Sequence, residues 1–156
     1  VEGTGMGTFG HMRALVQRVG WASVTVDGAV VGAVGAGLCV FVGVTHDDGE
    51  EQADRLAGKL SGLRIMDDDD GVMNRSVVDS GGEVLVVSQF TLYGDTTRGR
   101  RPTWIAAAPP EHAEPLIERV VQGLRDQGIV VETGRFRAAM QVELMNDGPA
   151  TLLIEV

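Results

Sequence analysis

From Leu38 to Val44 the chain carries no polar side chain: Leu-Cys-Val-Phe-Val-Gly-Val. A strand with one wet face would alternate, so this run predicts a central strand covered on both faces. The flanking segments extend the pattern. Ala14 to Val19 and Ala22 to Val26 are rich in β-branched residues, and Val24 and Val26 alternate with Ser23, Thr25 and Asp27. Asp27-Gly28 predicts a tight hairpin turn returning through Ala29 to Val34.

Two helices interrupt the strands. Asp47 or Asp48 is the expected N-cap of the first, with Glu50 and Glu51 in its first turn and a stripe of Ala53, Leu56, Ala57, Leu60 and Leu63. Pro109-Pro110 opens the second. Its buried face is Leu116, Ile117, Val120, Val121 and Leu124, and Gly128 is its stop. Short strands are expected at Ile65-Met66 and Ile129 to Glu132, with longer ones at Glu83 to Val87, Met140 to Asn146 and Thr151 to Val156. The fold class is therefore α/β: a single domain with a mixed, largely antiparallel sheet and two main helices.

Residues 1–11 are aperiodic and rich in Gly and Thr. They read as a vector-derived leader without order of its own, which leaves 12–156 as the domain. Within them Gly5-Met6-Gly7-Thr8-Phe9-Gly10 matches G-x-G-x-x-G, but no strand precedes it, as a dinucleotide site requires. No apolar run approaches the roughly 20 residues that span a bilayer, and no signal peptide is recognisable. Cys39 is the single cysteine, so an intrachain disulfide is excluded. Its apolar run makes it a small core residue, and a reducing, cytoplasmic compartment is expected.

Several chemistries fall away. His46 and His112, the histidines beyond the leader, stand in no metal-ligand pattern, and no cofactor or metal is expected. Asp67-Asp68-Asp69-Asp70-Gly71 suggests a calcium loop, but with Gly71 at the invariant glycine the twelfth ligand would be Val77, so a solvated turn is expected. Neither a Walker loop nor a G-x-S-x-G elbow occurs. The net charge of −9 excludes broad electrostatic binding of nucleic acid. Any such contact must be local, and Arg98, Arg100 and Arg101 form the one dense basic group.

What remains are two segments in which small polar groups replace the expected Val, Ile or Leu. Ser88-Gln89-Phe90-Thr91 ends an apolar strand, and its backbone amides are candidates for holding a developing oxyanion. Asn146-Asp147-Gly148-Pro149-Ala150-Thr151 contains an X-Pro bond, where cis peptides occur, and free carbonyls that suit an ammonium group. A plain strand end and a plain turn are the alternative readings.

These segments resemble the S-Q-F-T and N-x-G-P-x-T signatures of the D-aminoacyl-tRNA deacylases. Met12-Arg13-Ala14-Leu15-Val16-Gln17-Arg18-Val19 and Thr133-Gly134-Arg135-Phe136 with Met140 are similar too. The resemblance implies a three-layer α/β/β fold, a homodimer with sites at the subunit interface, and tRNA as partner. It implies hydrolysis of the ester between a D-amino acid, or mischarged glycine, and tRNA. By the same resemblance Ser88, Gln89, Phe90 and Thr91 form the catalytic segment. Gly148 and Pro149, joined by a cis bond in that family, exclude L side chains. Arg18, Asn146 and Thr151 support them. Thr91 as nucleophile lacks a base in any recognisable motif, which favours backbone amides and the tRNA 2′-hydroxyl. A non-catalytic RNA-binding or dimerisation module and an editing domain for L-aminoacyl-tRNA are the competing readings.

Overall fold

The computed structural model describes residues 11–156. The expected leader, apart from His11, and its G-x-G-x-x-G match therefore lie outside the described residues. The elements are β1 (Arg13–Val26), β2 (Ala29–Val34), β3 (Gly37–Gly43), α1 (Glu50–Gly62), β4 (Met66–Asp67), β5 (Met73–Arg75), α2 (Val77–Ser80), β6 (Glu83–Ser88), α3 (Pro110–Asp126), β7 (Val131–Thr133) and β8 (Gln141–Glu155).

The large sheet runs β2-β1-β3-β6-β7, with β8 on the other side of β1. The pairs that β1 makes are antiparallel, whereas β3–β6 and β6–β7 are parallel. The sheet is thus mixed, as expected. Strand β3 lies between β1 and β6, and of its residues Leu38, Cys39, Val40 and Val42 are buried. Alternation divides them: Leu38, Val40 and Val42 join the core under α1 and α3, while Cys39 joins a second core with Val24, Val26, Val34 and Leu85. Burial pushes the Cys39 thiol up to about 12, so it stays protonated and inert at neutral pH.

Three layers follow from how β1 bends. Its first half pairs with β3, its second half with β2, and β8 follows it along both. Past the bend, β2 lies close across β7. A Cβ on Gly32 would stand 2.5 Å from the Thr133 carbonyl oxygen, so only glycine permits the approach. The order is helices, central sheet, and a second β layer made of β2 and parts of β1 and β8.

Four local expectations are corrected. The two strands expected at 14–19 and 22–26 are one, because β8 bridges the irregular pairing around Gly20. The strands expected at 140–146 and 151–156 are likewise one. The N-cap of α1 is Gly49, because Asp48 turns its carboxylate back to accept from the Thr45 amide at 2.7 Å. The short helix α2 was not expected.

Asp48 is buried, and burial raises its carboxyl above its ordinary value, with the Thr45 amide pulling the other way. Native protein therefore holds this proton where unfolded chain has lost it, and stability falls as pH rises upward from 3.8. Asp48→Asn keeps an acceptor for Thr45 but removes the charge. It should show a shallower fall in urea midpoint with rising pH than the parent protein. Parallel profiles would mean that Asp48 does not contribute the slope.

Candidate active site

Strand β6 ends at Ser88, and the chain turns at once into a 3-10 turn, Phe90–Tyr93. The Gln89 amide continues the parallel ladder by donating to the Val42 carbonyl at 2.8 Å. Of the candidate amides in this segment, that of Gln89 is therefore engaged in the sheet. The amides of Phe90 and Thr91 open the 3-10 turn, where the first N–H groups have no partner inside the turn. The last ladder bond on the other side of β6 runs from the Gly134 amide to the Val86 carbonyl, so Ser88 stands one step beyond it.

Ser88, Gln89 and Phe90 line a cavity of about 540 Å³. Its remaining wall is mostly apolar and aromatic, with Trp104, Ile117, Phe136 and Met140 prominent and Arg137 as its charged member. Phe90 meets Trp104 edge-on, with ring centroids 5.5 Å apart. The volume suits a nucleoside-sized ligand. Thr91 is exposed, does not line the cavity, and accepts a hydrogen bond from the Gln89 side chain.

Each of the two histidines beyond the leader is tied to a backbone carbonyl. His46 donates Nε2–H to the Ile105 carbonyl at 2.6 Å, and His112 to the Asp48 carbonyl at 2.7 Å. Among the described residues no group of three or more His, Cys, Asp or Glu is placed to hold a metal ion.

The second segment is an insertion within β8. Gln17 pairs with Thr151 and Val19 with Asn146, so residues 147–150 stand opposite Arg18 alone. Such a bulge frees backbone groups from the ladder, and the Gly148-Pro149 bond within it is cis. Arg18 is the clamp. Only 5% exposed, it donates to the carbonyls of Ile65 at 2.7 Å, Asp147 at 3.0 Å and Gly148 at 3.3 Å. It also pairs with the carboxylates of Asp67 and Asp147, each at 3.2 Å. Asn146 closes the base of the bulge through its Nδ2, which donates to the Arg18 and Ala150 carbonyls at 3.0 and 3.3 Å. Thr151 accepts from Gln17 at 3.2 Å.

One chain does not bring the two segments together. Ser88 is level with Val42, Ala14 and Ile154 across the sheet. The bulge lies level with Arg18, four residues further along β1, and three strand spacings from β6. At about 4.8 Å per strand and ~3.3 Å per residue, the separation is roughly 20 Å. Arg98, Arg100 and Arg101 lie elsewhere again, all exposed, on a loop closed by the Asp95–Thr103 bridge and leading into Trp104. Phe136 and Met140 stood out in the sequence without a role. Trp104 went unnoticed, because nothing local marks a residue that reaches a cavity from a distant loop.

Fold and site together define an α/β/β domain with an amide-rimmed, aromatic-walled cavity at a strand end and an arginine-clamped bulge on an edge strand. The family model for D-Tyr-tRNA(Tyr) deacylase matches residues 15–155. A D-aminoacyl-tRNA deacylase from Thermotoga petrophila is 59% identical over 144 residues, 92% of this chain and 97% of the relative. One from Symbiobacterium thermophilum is 58% identical over 92% of this chain and 95% of the relative. The solved structure of a c-Myc DNA unwinding element binding protein superimposes with a TM-score of 0.86 at 37% identity, covering 92% of this chain and 98% of that one. The chain belongs to the D-Tyr-tRNA(Tyr) deacylase family.

Proposed function

We propose that the protein hydrolyses the ester joining a D-amino acid, or mischarged glycine, to the terminal adenosine of tRNA, and that it does so as a homodimer. The roughly 20 Å between Ser88–Phe90 and Gly148-Pro149 carries the reading. The ester carbonyl and the α-ammonium of one aminoacyl group are neighbours, so two segments that far apart cannot hold both. A second copy of the chain supplies the missing half. Strand β8 is suited to meet it: it is a long edge strand with Met145, Leu152 and Leu153 exposed, a surface that ordinarily needs covering.

In this reading the terminal adenine stacks in the aromatic cavity beside Phe90. The ester carbonyl lies over the Ser88 and Phe90 amides, which stabilise the oxyanion as water attacks. The bond from the carbonyl carbon to the 3′-oxygen breaks, and the adjacent 2′-hydroxyl relays a proton to that oxygen. The Gly148 and Pro149 carbonyls of the second copy accept from the α-ammonium and fill the space an L side chain would need. Selection is therefore by exclusion. Residues 12–156 constitute the working domain, in the cytoplasm where charged tRNA is used.

Incubation with D-tyrosyl-tRNA, L-tyrosyl-tRNA and glycyl-tRNA tests the reading directly. Loss of the D-tyrosyl and glycyl esters with survival of the L-tyrosyl ester is expected. No ester loss would leave a binding module, and loss of the L-ester an editing domain of the other hand.

Thr91→Val should retain single-turnover deacylation within about tenfold, since its hydroxyl meets no base and its backbone amide survives the change. A fall of several orders of magnitude with the fold intact would give the threonine a covalent role. The Arg98, Arg100 and Arg101 loop is the tRNA contact. Replacing all three with alanine should weaken tRNA binding and lower the slope of log affinity against log salt by about 2–3, at ~0.9 for each phosphate no longer neutralised. An unchanged slope would clear the loop.

A further inference from the structure

We propose that a second cavity beside the first is a subsite for the penultimate nucleotide of the acceptor end, and that it prefers cytidine. The proposal rests on the reading that the first cavity takes the terminal adenosine. The second cavity has a volume of about 390 Å³ and shares Ser88, Ile117 and Phe136 with the first. A ligand filling the first cavity and extending by one unit over that shared wall enters the second.

The chemistry of the two walls differs in a way that matches two successive bases. The first is mostly aromatic and apolar, suited to stacking, with Arg137 at its border to the second. The second is bordered on its α3 side by Glu114, Glu118, Gln122 and Arg125, a stripe spaced by four, four and three residues on one helix face. Acceptors and donors in one row suit the edge of a base better than they suit a phosphate or an apolar side chain. Cytosine offers an amino donor at C4 and acceptors at N3 and O2. A glutamate accepts from that amino group, and the acceptors meet the N–H groups left over on Gln122, whose Nε2 also donates to Asp126 at 2.8 Å, and on Arg125, which also donates to the Val131 carbonyl at 2.9 Å. Uracil carries an oxygen at C4 and an N–H at N3, so the same row meets it acceptor to acceptor.

The partition between the cavities supplies the link. The turn at residues 135–138 is closed by the Ala138 amide donating to the Arg135 carbonyl at 3.1 Å. Arg135 lines the second cavity, Arg137 the first, and Phe136 both. Two arginines on either side of one aromatic residue are placed for a phosphodiester that crosses it. They provide local positive charge on a chain whose net charge is −9.

The test uses stable amide analogues in which D-tyrosine is joined to the 3′ position of adenosine, alone or extended at its 5′ side to CpA and UpA. Binding is measured by calorimetry on the full chain. Expected are a CpA analogue bound at least tenfold tighter than the adenosine analogue and at least fivefold tighter than UpA. The preference for CpA over UpA should fall below twofold in Glu118→Ala, with affinity for the adenosine analogue unchanged. Equal binding of CpA and UpA, or a preference that survives both Glu118→Ala and Gln122→Ala, would overturn the subsite. Failure of the adenosine analogue itself to bind would instead overturn the reading of the first cavity, and the subsite with it.

Discussion

Gly148→Ala is expected to reduce hydrolysis of D-tyrosyl-tRNA at least 100-fold while leaving the chain as stable as before. Within one chain a Cβ at this position has room. Its nearest neighbour is the Asn146 Oδ1 at 3.5 Å, an ordinary contact. Gly148 is also absent from the left-handed backbone region that glycine alone adopts freely. A surface substitution of this kind ordinarily shifts stability by no more than about 0.5 kcal/mol. The Gly148 carbonyl, however, is held by Arg18 at 3.3 Å and, in the proposed dimer, faces the substrate ammonium of the other copy. A methyl group there enters the space left for the substrate and shifts the acceptor. A 100-fold loss corresponds to about 2.7 kcal/mol of transition-state stabilisation. The measurements are single-turnover deacylation and thermal unfolding on the same preparation. Full activity in a folded variant would mean that the bulge faces no substrate, and the two-copy site would fall.

The contrast between β3 and β8 shows what could be read from the sequence and what could not. Strand β3 was legible because an apolar run without alternation extends from Leu38 to Val44, all of it buried except the half-buried Phe41, and burial is a property each side chain reports for itself. The Asp27-Gly28 turn was legible for a similar reason: both residues take positive φ, 50° and 81°, as a two-residue hairpin loop of this kind requires. Strand β8 was not legible as one element. Proline cannot donate to a ladder and argues against strand wherever it occurs. Here it is tolerated because residues 147–150 leave the ladder as a bulge, and because β8 pairs on only one side. The α1 cap was misplaced because Asp48 has two uses for one carboxylate, and the Thr45 amide took it. Helix α2 did leave a signal, Ser76 followed three residues later by Asp79, whose side chains cap each other's amides. The site divides along the same line. Ser88 to Phe90 and the Gly148-Pro149 bulge are local motifs and could be picked out by eye. The roughly 20 Å between them depends on strand order, which no local pattern encodes.

Arg18 should be the most sensitive side chain in the protein, and its two substitutions should fail differently. It is buried, and its guanidinium serves three backbone carbonyls and two carboxylates at once. Arg18→Ala strips those acceptors of their donor: the Ile65 carbonyl is left unpaired in a buried place, whereas the half-exposed carboxylates of Asp67 and Asp147 regain water. Losing the buried guanidinium and its hydrogen bonds costs about 1–3 kcal/mol, which for a domain of this size is a sizeable share of its total stability. Arg18→Lys keeps the positive charge on a flexible stem but loses the planar fork, so it cannot span Ile65, Asp147 and Gly148 together. It should fold, with a modest loss of thermal stability, yet hold the Gly148 carbonyl loosely. If Arg18 acts only as a structural tie, Arg18→Lys will hydrolyse D-tyrosyl-tRNA at the parent rate once folded, and L-tyrosyl-tRNA will remain untouched. If it positions the bulge for the second copy, the folded lysine variant will lose at least tenfold in D-ester hydrolysis, and its ratio of D- to L-ester hydrolysis will narrow. That ratio separates the two roles, because a purely structural loss changes only how much protein is folded and leaves the selectivity alone, while a misplaced carbonyl weakens the exclusion that keeps the two esters apart.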